Sequence, residues 1–314
     1  MEKDTKKIAF LFPGQGVLAS DVISYSKFLE SKDIRQTQEF IEPLQESLNQ
    51  VNPEAHFIVS EILANETSPA WAQTAFVQPL TYALSILTHE ILKKEKPEIT
   101  PSFVMGHSLG AFSALTAAGA LLYEEGIKIV SARGKFMQED SAQQNTGMCA
   151  VIGLTQDKVE EICNKTNTVI ALQNAPTAFV IGCSRDLFPQ IESVAQQLGA
   201  RKTIRLETSG AFHTSHMQGA YIKFKEFFNQ YSLQTPHTPI VTNIYGTSSL
   251  DPIELKADVI ESIINPVNWI RMMEFLKNKT IDSYIELGPG TSLSSLSRLN
   301  GVEREKLTQI TELW

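Results

Sequence analysis

Short apolar runs alternate with longer stretches of helical length along most of the chain. Short runs predict buried strands, and the longer stretches predict helices. In the first part, the pattern predicts strands at Lys7–Phe12 and Ser102–Met105, helices at Thr37–Gln50 and Gln78–Lys94, and a further helix that ends near Leu122. This alternation of strand and helix is typical of a parallel sheet that is covered by helices.

The pattern changes between about Asn145 and Leu206. The elements predicted there are strand Met148–Ile152, helix Gln156–Asn164, strands Val169–Gln173 and Phe179–Cys183, helix Arg185–Leu198 and strand Lys202–Leu206. Their order, βαββαβ, is the ferredoxin-like order. Helix Ala220–Tyr231 and strands Ile240–Asn243 and Ser283–Leu287 follow. We therefore predict an α/β fold: a large α/β-hydrolase-like domain with a parallel sheet (residues 1–144 and 207–314) and an inserted ferredoxin-like subdomain (residues 145–206).

Composition narrows the class of protein. A chain of 314 residues that is 42% hydrophobic and 20% charged can bury one large core and a small second core. The formal net charge of −8 argues against general nucleic-acid binding. The 3 cysteines form no disulfide framework or CxxC motif, which suits a reducing compartment. The start of the chain is polar, and no run reaches about 18 apolar residues, so we expect a cytoplasmic protein without a membrane span.

The most informative motif is Gly-His-Ser-Leu-Gly at residues 106–110. It follows an apolar run and precedes a run of small residues, which is the context of a nucleophile elbow between a strand and a helix. Ser108 is therefore the candidate nucleophile. The amide of Leu109, at the start of the helix, is a candidate donor to an oxyanion.

A second glycine-rich turn, Pro13-Gly14-Gln15-Gly16, ends the first predicted strand. The turn has no lysine and no GKS/T sequence, so a phosphate-binding P-loop is not expected. One interpretation is an ordinary turn between a strand and a helix. The other is a loop whose Gln15 amide faces Ser108 and completes the oxyanion hole.

The general base is sought among 6 histidines. His107 lies on the elbow, where its side chain should point away from the Ser108 hydroxyl, and His56, His89 and His237 are interpreted as surface residues. His213 follows the predicted subdomain in Ser209-Gly-Ala-Phe-His213, and we expect it to be the base. The His213-x-x-His216 spacing alone does not indicate metal, since no further ligands stand nearby, and we predict no metal site.

Four motifs together resemble a known family: Phe12-Pro-Gly-Gln-Gly16, residues 106–110, Arg133-Gly134 and Gly210-Ala-Phe-His213. In order and spacing they are similar to the malonyl-CoA:acyl carrier protein transacylases, and most similar to the discrete acyltransferases of polyketide synthases. The resemblance extends from about Lys7 to about Leu299. Further matches are Thr74-Ala-Phe-Val-Gln-Pro79, Asn174-Ala-Pro176, Asn265-Pro-Val-Asn-Trp269 and Glu286-Leu-Gly-Pro-Gly290.

The resemblance implies a role for each site residue. Ser108 would carry the acyl group as an ester, and His213 would act as base and acid, oriented by a main-chain carbonyl near Ser262 rather than by an aspartate. Arg133 would hold the free carboxylate of malonate, Phe212 would limit the space at the acyl α-carbon, and Asn174 and Gln78 would contact the substrate. Without the resemblance, Arg133 would be interpreted as a solvated or ion-paired residue on a helix.

The resemblance also implies partners. Malonyl-CoA would be the substrate, no cofactor would be bound, and the phosphopantetheine would arrive on an acyl carrier protein. We expect a monomer. Carrier proteins are typically acidic, so Arg201, Lys202 and Arg205 are candidates for a basic docking patch.

The sequence departs from the family pattern at three places: Val17-Leu18, Ala111-Phe112 and Ala178. They favour a divergent branch that serves polyketide synthesis. The alternatives are a housekeeping fatty-acid malonyl transacylase, a hydrolase that removes acyl groups from carriers, and an inactive carrier-binding protein. Arg133 argues against a hydrolase of neutral acyl groups, and intact Ser108 and His213 argue against an inactive protein.

Overall fold

The computed structural model describes residues 6–314, apart from the side chain of Ile34. The strands are β1 (Ile8–Phe12), β2 (Phe103–Gly106), β3 (Thr146–Ile152), β4 (Val169–Ala175), β5 (Ala178–Ser184), β6 (Lys202–Leu206), β7 (Ile240–Val241), β8 (Ser248–Ser249), β9 (Val267–Asn268), β10 (Ser283–Glu286) and β11 (Leu307–Gln309). The helices are α1 (Ala19–Lys32), α2 (Ile34–Val51), α3 (Val59–Leu63), α4 (Thr74–Glu95), α5 (Gly110–Ala117), α6 (Tyr123–Ala142), α7 (Gln156–Thr166), α8 (Phe188–Gln197), α9 (Gln218–Phe228), α10 (Pro252–Glu261), α11 (Trp269–Asn278) and α12 (Ser292–Leu299).

The larger sheet has six strands in the order β11-β10-β1-β2-β7-β8. Its strands are parallel except for β8, which runs antiparallel to β7. Strand β1 lies in the middle, and its residue Phe12 is in register with Gly106 at the end of β2. The two glycine-containing turns that follow β1 and β2 are therefore neighbours at the carboxyl edge of the sheet.

The smaller sheet has five strands in the order β6-β3-β5-β4-β9. Strands β3 to β6 and helices α7 and α8 follow one another as βαββαβ. The fifth strand, β9, comes from a later part of the chain and pairs in parallel with β4, Leu172 opposite Val267. The small sheet is thus tied to residues that the sequence assigned to the large domain.

Helix α4 begins earlier than predicted. The prediction started at Gln78, with Pro79 at the first turn, whereas the helix begins at Thr74 and contains Pro79. An internal proline removes one backbone hydrogen bond. Because Thr74–Gln78 are all buried, packing of the first turn outweighs that loss.

The predicted helix that follows the elbow is also shorter than expected. Helix α5 ends at Ala117, and α6 begins separately at Tyr123. Between them Gly119 takes a φ of +78°, the left-handed conformation that commonly ends a helix and that glycine adopts without strain.

The interpretation of His89 as a surface residue was wrong. His89 is only 8% exposed and lies edge-on to the rings of Phe10 and Phe12. Nearly every residue of α4 up to Leu92 is buried, so the helix has no polar face by which the sequence pattern could mark an inward side.

The three cysteines lie in a separate apolar cluster of the small domain. Cys149 and Cys183 lie on strands and Cys163 on α7, and all three are buried free thiols. Between residues 6 and 314, no helix has the length and hydropathy needed to cross a membrane.

Candidate active site

Ser108 occupies the sharp turn between β2 and α5. Its φ is +53°, a strained left-handed conformation for a residue with a side chain. A Cβ on Gly106 would collide with the backbone of Gly110, and one on Gly110 would collide with the carbonyl of Phe12. Both glycines are therefore required for the close approach that raises the serine above the sheet edge.

Ser108 and His213 form a hydrogen-bonded pair. The Ser108 Oγ lies 2.8 Å from His213 Nε2, and His213 Nδ1 lies 2.5 Å from the main-chain oxygen of Ser262. That carbonyl can only accept, so Nδ1 carries the proton and Nε2 presents its lone pair to Ser108. Within residues 6–314, no carboxylate contacts this imidazole.

The surroundings keep His213 neutral. Burial and, to a lesser extent, the positive charge of Arg133 together lower its pKa to about 3, while the hydrogen bond to the Ser262 carbonyl opposes the shift. The side chain is only 4% exposed. The imidazole is therefore an unprotonated base at neutral pH.

Arg133 lies on α6, and its guanidinium is next to Ser108. It is fully buried; its Nη1 donates to Gln78 Oε1 at 2.6 Å, and its Nη2 donates to Ser108 Oγ at 3.2 Å. The guanidinium also lies 5.8 Å from the ring centroid of Phe112. Burial lowers its pKa to about 10, so the charge remains at neutral pH. No carboxylate of the described residues pairs with it, and its Nε has no hydrogen-bond partner there.

A cavity of about 560 Å³ is lined by Ser108, His213 and Gln78, whereas Arg133 is not among its lining residues. Met148, Leu172 and Leu206 of the small sheet form one apolar wall. The opposite side is formed by the large domain and contains these residues: Gln15, Val77, Gln78, Ser108, Leu109, Met137, Phe212 and His213. The cavity thus lies between the two sheets and exposes the nucleophile to a ligand.

The two predicted oxyanion donors both line the cavity. Across the described part of the chain, neither the amide of Gln15 nor that of Leu109 donates to a protein acceptor. Gly14 places the first loop close to the elbow, since a Cβ there would come within 2.6 Å of the His107 carbonyl. The arrangement leaves both donors free for a ligand oxygen.

The other predicted contacts are divided between the cavity and its support. Phe212 lines the cavity, while Gln78 lines it and also holds Arg133. Asn174 does not line it; its Oδ1 lies 3.0 Å from His107 Nε2, and its carbonyl accepts from Asn300. Asn174 therefore contacts the elbow from behind, and a direct contact with substrate stays a prediction.

The basic residues predicted for carrier docking are exposed, but they are not equivalent. Arg205 forms a bidentate ion pair with Glu192, with Nε–Oε1 and Nη2–Oε2 distances of 2.6 and 2.8 Å. Its charge is therefore partly neutralised, which leaves Arg201 and Lys202 as the stronger candidates. The described residues contain no group of three or more His, Cys, Asp or Glu side chains that could hold a metal.

Sequence reasoning missed two residues that hold the elbow, Asn243 and Asp258. Asn243 Oδ1 accepts from the Ser108 amide at 2.8 Å, and its Nδ2 donates to the Gly106 carbonyl at 3.0 Å. Asp258 in turn accepts the amides of Asn243 and Ile244. The one signal available was the position of Asn243 at the end of a predicted strand, where polar side chains of parallel sheets gather.

Comparison with known proteins identifies the family. A model of the acyl transferase domain matches residues 32–290, which is most of the chain. The chain belongs to this family of acyl transferases. It is 31% identical to the malonyl CoA-acyl carrier protein transacylase of Staphylococcus aureus, over 98% of this chain and 96% of that protein. Both the family resemblance of the sequence and the predicted class of enzyme are thereby confirmed.

Two further relatives extend this result. The chain is 32% identical over 295 residues to the polyketide biosynthesis protein ThaF of Burkholderia thailandensis, and spans 24% of the length of that protein. Among solved structures, an acyl-carrier-protein S-malonyltransferase from Bartonella henselae superposes with a TM-score of 0.87 at 26% identity, covering 97% of this chain and 95% of that one. The superposition confirms the α/β fold with its parallel sheet.

Proposed function

We propose that this acyl transferase moves malonyl from malonyl-CoA, through an ester on Ser108, to the phosphopantetheine thiol of an acyl carrier protein. The observation that carries the proposal is Arg133. A fully buried cation without a carboxylate partner among residues 6–314 is unfavourable unless a ligand supplies the anion. Its Nη2 lies 3.2 Å from the nucleophile, where the free carboxylate of a malonyl group would arrive.

The first half-reaction acylates the enzyme. His213 Nε2 removes the proton of Ser108, and Oγ attacks the thioester carbonyl. The amides of Gln15 and Leu109 stabilise the oxyanion, each contributing roughly 2.7–4 kcal/mol to lowering the barrier. His213 then gives its proton to the departing thiolate of coenzyme A, which leaves malonyl on Ser108.

The second half-reaction repeats these steps in reverse. His213 removes the proton of the incoming phosphopantetheine thiol, the thiolate attacks the Ser108 ester, and Ser108 recovers its proton. The acyl group leaves as a new thioester. No cofactor is needed by this mechanism, because the phosphopantetheine belongs to the carrier.

The orientation of His213 favours a thiol over water as acceptor. A main-chain carbonyl stabilises an imidazolium less than a carboxylate would, so the base is a weak one. A thiol, with an ordinary pKa near 8.5, gives up its proton far more easily than water does. Transfer is therefore favoured over hydrolysis, which argues against a role in removing acyl groups from carriers.

We further propose that the carrier belongs to a polyketide pathway. The match to ThaF and the departures at Val17, Ala111 and Ala178 support this assignment. A fatty-acid pathway is the alternative, since the chain is about equally similar to the Staphylococcus aureus malonyl CoA-acyl carrier protein transacylase, whose name states no polyketide role, and covers 96% of that protein. The monomeric state and a cytoplasmic location stay predictions.

The proposal is tested by intact-mass measurement after incubation with malonyl-CoA. We expect a malonyl adduct on the wild type and none on Ser108→Ala, followed by transfer when a carrier with phosphopantetheine is added. Hydrolysis of neutral acyl thioesters without a malonyl adduct would identify an editing hydrolase instead. Absence of any adduct on the folded wild type would indicate a carrier-binding protein. Competition between a fatty-acid carrier and a polyketide carrier then decides the pathway.

A further inference from the structure

The base and the nucleophile are connected from behind by a second set of hydrogen bonds. It begins at Asn243, which is 1% exposed and contacts the elbow on both sides of His107. The side chain accepts from the Ser108 amide and donates to the Gly106 carbonyl. One carboxamide thereby fixes the backbone at Gly106 and at Ser108, the strained residue of the turn.

Asn243 is itself held by Asp258. The Asp258 Oδ2 accepts from the main-chain amide of Asn243 at 2.8 Å, and its Oδ1 accepts from the main-chain amide of Ile244 at 3.0 Å. Asp258 is 5% exposed and pairs with no Lys or Arg of residues 6–314. A neutral side chain would be easier to bury, but a carboxylate offers a separate acceptor oxygen to each of the two adjacent main-chain amides.

The same helix that carries Asp258 ends at the base. Asp258 lies in α10, and its main-chain oxygen accepts from the Ser262 amide at 2.9 Å, one turn later. The Ser262 carbonyl is the acceptor that orients His213. Asp258 therefore connects the two supports: its carboxylate holds the backbone at Asn243, and its main-chain oxygen belongs to the helix end that supports His213.

We propose that Asn243 and Asp258 are positioning residues that set the alignment of Ser108 with His213. We call Asn243, Asp258 and Ser262 the brace. Hydrogen bonds of the brace reach the nucleophile through its amide and the base through its Nδ1, and no brace side chain lines the cavity. The proposal rests on the Ser108–His213 pair of the proposed function, and not on malonyl as the substrate.

The charge state of Asp258 agrees with this role. Burial raises its pKa to about 6, while the two amide hydrogen bonds oppose the rise. Asp258 is therefore mainly ionised at pH 7.5, where the assays below are made.

The test replaces Asp258 by its neutral isostere and measures the reactivity of Ser108 directly. A fluorophosphonate probe labels an activated serine without a need for malonyl-CoA. We expect Asp258→Asn to slow labelling by roughly 10- to 100-fold, because small misplacements of reacting groups have effects of this size. To prevent acylation, malonyl-CoA affinity is measured by calorimetry on Ser108→Ala alone and on Ser108→Ala combined with Asp258→Asn. The two affinities should differ by less than about twofold, since the groups that bind the ligand are unchanged.

Asp251→Asn is the matched control. Asp251 accepts from the Ile253 amide at the start of the same helix, is exposed, and can be replaced by asparagine as a cap. Labelling of this variant should equal that of the wild type. An equal loss in both variants would show that helix stability alone is responsible, and would overturn the proposal.

Asn243→Asp serves if Asp258→Asn does not fold. It keeps the acceptor for the Ser108 amide and loses the donor to the Gly106 carbonyl, so labelling should fall at least tenfold. Labelling within twofold of the wild type in a folded variant would overturn the proposal. If the wild type reacts with the probe but not with malonyl-CoA, the proposed function fails while the brace is still tested.

Discussion

The two walls of the cavity differ in how they are built. The wall from the large domain carries Ser108, which is fixed by the elbow, and His213, which is fixed by the Ser262 carbonyl; Arg133 is held next to this wall by Gln78. The wall from the small sheet contributes the apolar side chains of Met148, Leu172 and Leu206. Under the proposed function, the large domain performs the chemistry and the small sheet shapes the space for the ligand.

The largest effect should follow the removal of the base. His213→Ala should reduce the rate of Ser108 acylation by roughly 10²–10⁴-fold, the usual contribution of a general base. Rapid-quench measurement of acyl-enzyme formation gives the rate, and circular dichroism confirms that the variant is folded. A loss below tenfold would mean that another group accepts the serine proton.

The pH at which His213 titrates tests how strongly the large-domain wall of the cavity excludes water from the imidazole. With a pKa lowered to about 3, His213 should stay neutral from pH 8 to 5 in ¹⁵N spectra of the imidazole. Since the unfolded chain binds this proton near pH 6.5, the contribution of His213 to stability should fall as the pH drops from about 6.5 towards 3. Observation of a titration near 6.5 would show that the site is hydrated.

Removal of the buried cation should separate substrates by charge. Arg133→Ala should reduce kcat/KM for malonyl-CoA by at least about tenfold, because a charged hydrogen bond contributes roughly 1.5–3 kcal/mol. Acetyl-CoA, which has no free carboxylate, should be spared. Arg133→Lys should keep only part of the activity, since a single ammonium group cannot make the two parallel hydrogen bonds by which a guanidinium holds a carboxylate.

Competition between the two acyl-CoAs for the wild type and Arg133→Ala supplies the measurement. Equal losses for both substrates would show that Arg133 is structural. The malonyl assignment would then lose the observation on which it depends.

Changes in the small-sheet wall should be weaker and of another kind. Leu172→Ala removes part of a half-buried side chain, and roughly 1 kcal/mol of apolar contact with the ligand corresponds to about a fivefold higher KM. Labelling by a fluorophosphonate probe should stay within twofold of the wild type. A large fall in labelling would show that this wall also positions the reacting groups.

The smallest effect is expected at Ser262. Its main-chain oxygen orients His213, whereas its hydroxyl donates to the Val259 carbonyl within the same helix. Ser262→Ala should therefore leave the transfer rate within about twofold of the wild type in a steady-state assay. A loss comparable with that of His213→Ala would assign the orientation to the side chain.

Much of this cavity could be predicted because the motifs are local. Gly106 and Gly110 predict a turn too tight for side chains, and the alternation of strand and helix places the turn at a sheet edge. The close pairing of Ser108 with His213, 105 residues apart, followed from the chemistry that a serine nucleophile requires.

The remaining features depend on tertiary packing. Strand β9 has only two residues and joins the small sheet from far along the chain, so no sequence periodicity marks it. Asn243 and Asp258 act through backbone groups, and an isolated buried aspartate has no sequence signature. His89 and Pro79 lie in a helix buried on all sides, where amphipathic pattern gives no information.

The apolar cluster of the small domain has a chemical consequence for an enzyme that handles thioesters. Burial raises the pKa of Cys149 to about 11 and that of Cys183 to about 12, and it also raises the pKa of Cys163. The thiolate is the form that exchanges with thioesters, so at neutral pH these three side chains are inert as acyl acceptors. Under the proposed function, these three thiols therefore do not compete with Ser108 for the acyl group of a thioester.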